Sequence, residues 1–153
     1  MSRHLVVLRT FRLPWVLVAL FAVAACVPAS PDENTYQAKT SVTVGGALSD
    51  VATVRTILDA LHEDKMFRAT AIAQIRASQD SLDTNAGAFA EVNPPPALDG
   101  LYARTSKSLS DATDLVTAAR IAIDRNRSDR YRKIAQDLSK TAAQLEKIEK
   151  SVS

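Results

Sequence analysis

YRKIAQDLSKTAAQLEKIEKSV, residues 131–152, sets Tyr131, Ile134, Leu138, Thr141, Leu145, Ile148 and Val152 at alternating steps of three and four. That period puts all seven on one side of an α-helix, and a stretch of this length makes about six turns. Ser128 and Asp129 stand just ahead of it as a cap and an acid at the positive end of the helix dipole. Glu146 and Lys150 add a favourable pair one turn apart. The spacing predicts an amphipathic helix with a partner for its apolar side.

The stretch before it repeats the pattern. Leu98, Leu101, Thr105, Leu109, Ala112, Val116, Ala119 and Ile123 recur at threes and fours, behind Asn93 and the prolines Pro94, Pro95 and Pro96. Proline is tolerated in a first turn but drives its predecessor out of the helical region, so these prolines separate two helices. Asn126 to Ser128 leaves room only for a short turn, which makes the flanking helices antiparallel neighbours.

Further upstream, Val51, Val54, Leu58 and Leu61 form one seam and Ile72, Ile75, Leu82 and Phe89 another in the same phase, with Lys65 and Arg68 at the seam positions between them. Either the chain turns at His62 to Lys65 or one helix runs through with a polar waist. Neither Gly nor Pro marks the place, and Ser78 to Gly87, with Asp80, Asp83, Thr84 and Asn85, is a rival break. A continuous helix over 47–92 would be about 69 Å long and would leave the Val51–Leu61 seam unpaired. The expectation is therefore an all-α, antiparallel up-down bundle over 47–153, four helices being favoured over three.

Composition agrees. The chain has 153 residues, 46% apolar and 24% charged, enough for one core without staples. Only five of eight aromatic residues lie beyond Cys26 and glycine totals four, which argues against a many-stranded barrel or sandwich.

The first 26 residues have another character. Arg3, Arg9 and Arg12 precede an apolar run from Leu13 to Val23, then small residues and Cys26, with no acid anywhere. This is the three-part layout of an export signal. The whole run from Leu13 to Val27 is fifteen residues, against about twenty for a membrane-spanning helix. Val23, Ala24, Ala25 and Cys26 resemble the lipobox of bacterial lipoproteins, an aliphatic residue and two small ones before an obligatory cysteine. The resemblance covers about 26 residues and says nothing about the bundle. It implies that residues 1–25 are removed, that Cys26 receives a diacylglycerol and begins the mature chain, and that acyl chains such as palmitate hold the protein to a membrane. Two or three such chains anchor stably, at about 0.8 kcal/mol per buried methylene. In a host with two membranes it also implies that Val27, not being aspartate, permits sorting onward to the outer membrane; in a host with one, the protein stays on the outer face. The expected location is the cell membrane or outer membrane, lipid-anchored and facing the periplasm or exterior.

From Val27 to Gly46, the residues Pro28, Ser30, Pro31, Asp32, Glu33, Asn34, Gly45 and Gly46 show no helical apolar period. Residues 26–46 are therefore expected to be a lipidated cysteine and a flexible tether, a coil spanning on the order of 25 Å.

Charge narrows the partners. From Cys26 onward sixteen cations face seventeen acids, so the basic balance of the whole chain resides in its leader and gives no argument for nucleic acid. One segment stands out: Arg120 to Lys133 holds Arg120, Arg125, Arg127, Arg130, Arg132 and Lys133 against Asp124 and Asp129, a net +4. Arg125, Arg127, Arg130, Arg132 and Lys133 are the candidate partner- or anion-binding residues, suited to an envelope protein or an acidic glycan. With four helices this hairpin lies at the end remote from the tether, with three it points back toward the membrane.

Catalytic patterns are missing. The mature chain has one histidine, His62, and its one cysteine is the lipidation candidate. No nucleophile elbow, phosphate loop, CxxCH or ExxH occurs. The expectation is a non-enzymatic binding or structural module without a cofactor. The alternative is a carrier or sensor of a small ligand or divalent metal, for which Asp59, His62 and Glu63, three donors at helical spacing, are the candidate ligands.

Overall fold

The structure, a computed structural model, describes residues 31–153. Four helices follow one another: α1 (Glu33–His62), α2 (Arg68–Ala90), α3 (Asp99–Asp124) and α4 (Tyr131–Val152). Single 3-10 turns, Pro96–Leu98 and Ser128–Arg130, lead into α3 and α4. Each helix packs on the next, α4 closes the ring against α1, and α1 also meets α3 across the diagonal. This is the expected antiparallel four-helix bundle.

The seams read from the sequence are the core. Val51, Val54 and Leu58 from α1, Ile75, Leu82 and Phe89 from α2, Leu109, Val116 and Ile123 from α3, and Leu138 and Leu145 from α4 are all buried. Ala47, Ala71, Ala112 and Ala119 are buried between them, so the middle of the bundle is filled by short side chains. At one end three rings meet: Tyr36 lies 5.9 Å from Phe89, and Phe89 stacks on Tyr102 at 5.7 Å. Aromatic pairs at such distances add to simple burial.

The expected tether is corrected over residues 33–46, which form the first half of α1. Pro31 and Asp32 are the helix start. The Asp32 carboxylate accepts from the Thr35 amide (3.0 Å) and hydroxyl (2.8 Å), and those bonds hold its pKa below the ordinary carboxylate value. Behind that cap Tyr36, Thr40, Thr43, Val44 and Ala47 continue the Val51–Leu61 seam and are buried. Two buried threonines hid the period, and Gly45 and Gly46 mimicked a breaker. Gly46 has a packing reason: a Cβ there would come within 3.1 Å of the Asn85 side chain on α2. The bundle therefore begins at residue 33, not 47. The export signal, the lipobox Val23–Ala24–Ala25 and Cys26 itself lie outside the described residues.

The chain turns after His62, the alternative that the unpaired Val51–Leu61 seam favours, and α2 runs unbroken through Ser78–Gly87. Asp64 sits in the left-handed region at φ 55°, the Lys65 amide donates to the Ala60 carbonyl (2.8 Å), and the Asp64 amide donates to Leu61 (3.3 Å). The end of α3 has the same geometry, with Asn126 at φ 54°, Arg127 donating to Ala122 (2.8 Å) and Asn126 to Ile123 (3.0 Å). Both are Schellman-type endings with Asp or Asn where glycine is usual.

Candidate functional site

Antiparallel packing brings these two turns to the same end of the bundle. Arg68, at the start of α2, donates to the last carbonyls of α3, Ile123 (2.6 Å) and Asp124 (3.2 Å). Its cation thus meets the negative end of the α3 dipole and ties one turn to the other. The opposite end holds Pro31, the α1 cap and the three stacked rings. The basic hairpin therefore lies at the end away from the point where the described chain begins.

Its cations are not equivalent. Arg120 is engaged by Gln79 (3.0 Å) and Asp124 (3.5 Å), and Lys133 by Asp137. Arg127 makes a two-point pair with Asp129, 3.1 Å at each contact, which lowers the Asp129 pKa. The expected cap therefore takes another form. Ser128 opens a 3-10 turn in which the Arg130 amide donates to the Arg127 carbonyl (3.0 Å), and α4 starts at Tyr131 without a side-chain cap. Among the described residues, the guanidinium groups of Arg125 and Arg130 make no hydrogen bond, although Arg130 is near enough to Asp129 to add, through its charge, to the lowering of that pKa.

The five candidate cations divide between two faces. Arg125, Arg127 and Arg130 rim a groove of about 300 Å³ between α3 and α4, lined otherwise by Ala118, Ile121, Ala122 and Ile134. Arg132 belongs to a second cleft of about 220 Å³ between α1 and α4, shared with Arg55, Asp59, His62 and Gln136. There it lies 3.2 Å from Nε2 of His62. A guanidinium has only donors, so Nε2 is the acceptor in that contact. Lys133 lines neither.

The metal candidates separate as well. Asp59 and His62 share the α1–α4 cleft, but Glu63 turns to Lys65 at 2.6 Å, a pairing that lowers the carboxyl pKa and raises that of the amine. Arg55 and Arg132 would repel a divalent cation placed beside Asp59 and His62. No group of three metal-type donors gathers among the described residues.

One residue of this end was invisible in the pattern. Phe67, beside Arg68 in the α1–α2 turn, is 85% exposed. It belongs to no seam, and that misfit was the available signal. Ile121, at 38%, is the groove's own exposed apolar side chain.

No family model matches the chain, and no curated protein or solved structure shows significant similarity to it. No helix of the described residues is long and apolar enough to cross a membrane.

Proposed function

We propose that this chain is a bacterial envelope lipoprotein, held to a membrane through lipid on Cys26, whose four-helix domain is a binding module rather than an enzyme. The observation that carries the reading is the placement of the basic hairpin at the end of the bundle opposite Pro31. Because α1 is capped by Asp32, only Val27 to Asp32 separate the lipobox cysteine from the helix. Six residues reach at most about 20 Å. The ring-stacked end is then held close to the bilayer, and a bundle standing on that end carries the basic end about 45 Å further out. Charge supports the same division, since the hairpin is +4 and the rest of the chain from Cys26 is −5. A partner of opposite charge, an envelope protein or acidic glycan, is steered to the outer end.

Two variants test the parts separately. In Cys26→Ala the protein loses radiolabelled palmitate and leaves the washed membrane fraction. A variant that stays membrane-bound and labelled would sink the anchor. For the module, in-cell cross-linking captures a discrete partner in the parent, and the joint Arg125→Glu, Arg127→Glu, Arg130→Glu and Arg132→Glu variant loses it. Identical capture by both would show that the basic end is solvated surface.

A further inference from the structure

We infer that the α3–α4 groove is a docking site for an acidic protein segment that presents one apolar side chain between two carboxylates. The inference rests on the proposed reading of the basic end as the binding end and names its partner chemistry.

Three observations carry it. The first is the division of the arginines: with the Asp129 carboxylate taken by Arg127, the groove keeps two guanidinium groups, Arg125 and Arg130, that make no hydrogen bond among the described residues. Guanidinium matches carboxylate in a planar, two-point geometry, so two arginines without such a bond call for two carboxylates. The second is the floor. Ala118, Ile121, Ala122 and Ile134 form an apolar patch leading from the surface into the core, with Ile121 38% exposed and Ile134 8%. A polyuronate or polyphosphate would satisfy the arginines but leave that floor wet, whereas a leucine or phenylalanine side chain would cover it. The third is size. At about 300 Å³ the groove is at the small end of the usual range for small-molecule sites, about 300–1,000 Å³. It suits the anchoring side chain of a larger partner. Phe67, 85% exposed on the same end, is of a type enriched at protein interfaces.

The test uses the full chain in detergent micelles and a displayed library of random dodecapeptides. Selection is expected to return peptides with an aliphatic or aromatic residue flanked by acids. The best of these, fluorescently labelled, should bind at least tenfold tighter than polyglutamate, polygalacturonate or phosphatidylglycerol vesicles. Ile121→Gln should weaken it at least tenfold, as should serine in place of the peptide's apolar residue. Arg125→Glu with Arg130→Glu should weaken it a hundredfold, with helicity by circular dichroism unchanged. The inference is overturned if no acidic consensus emerges, if the glycan, polyglutamate or vesicles bind as tightly as the peptide, or if Ile121→Gln binds like the parent. Those failures would leave the broader reading standing wherever the four-arginine variant still loses in-cell capture, while capture that ignores the arginines would sink the reading itself.

Discussion

Asp64 and Asn126 terminate the two helices that end at the basic face, each in a backbone conformation that an ordinary L-residue enters at a cost of about 1–2 kcal/mol. Asn and Asp pay less than most, and glycine nothing. Asn126→Gly is therefore expected to raise the denaturation midpoint slightly. Asn126→Val should lower stability by about 1–2 kcal/mol, since a β-branched residue is the worst fit for that region. Chemical denaturation of the pair checks this, and equal effects would show that the turn is not held in the left-handed form. Tyr36 offers a second check. It is 1% exposed, its hydroxyl has no partner among the described residues, and its pKa is pushed up to about 12 by burial first and by Tyr102 and Asp99 after it. Below pH 10 the phenol is neutral folded and unfolded, so its contribution is complete. Between 10 and about 12 the unfolded chain ionises while the native chain keeps its proton, and stability is lost as pH rises through that window. The loss is on the order of 1 kcal/mol per pH unit. Tyr36→Phe keeps the contact with Phe89, removes an unpaired buried hydroxyl, and should gain about 1 kcal/mol at pH 8 with a flatter alkaline limb. A limb as steep as the parent's would assign the loss to other groups, among them Tyr131, whose pKa burial also raises.

Among the elements, α4 and the second half of α1 were legible because their seams are mostly Leu, Ile and Val, with Thr141 of α4 flanked by leucines on both sides. The first half of α1 was not, because its seam is Tyr36, Thr40, Thr43 and Val44. Thr40 is fully buried only because its hydroxyl donates to the Tyr36 carbonyl at 2.9 Å, an option a hydropathy pattern does not see. The turn at 63–67 was ambiguous for the reason given above: Asp64 takes the left-handed place without being glycine. The hairpin's basic character was legible too, but not its division, since which arginines meet Asp129 or His62 depends on the 3-10 turn and on α1 lying beside α4. The helical state of residues 33–46 predicts a contrast between neighbouring glycines. At Gly45 a Cβ would meet Glu149 at an ordinary 3.6 Å, so Gly45→Ala should stabilise by about 0.5–1 kcal/mol through helix propensity. At Gly46 the 3.1 Å approach of Asn85 takes back part of the same gain. In a flexible tether neither change would move the thermal midpoint, so two flat results would restore the tether.

At the scale of the whole molecule, the bundle is a short rod with unlike ends, and its proposed anchor leaves a choice of posture. Six residues reaching at most about 20 Å let the rod either stand on its ring-stacked end or lie along the bilayer. The +4 hairpin would be drawn to anionic headgroups, at about 1 kcal/mol per cation near the surface. That attraction decays within a Debye length, about 8 Å at physiological salt and about 30 Å at 0.01 M, so a tilting rod feels it only when nearly flat at physiological salt but over a far wider range of tilt at 0.01 M. The pull is therefore screened where the protein would work and grows only at low ionic strength. Fluorophores on Glu91→Cys and Arg130→Cys, one at each end, report the posture in vesicles carrying a headgroup quencher. At 0.15 M salt the label at 91 should be quenched and the label at 130 should not; at 0.01 M on anionic vesicles both should be. Quenching at 130 in physiological salt would place the basic end on the membrane, making lipid rather than an acidic protein its first contact.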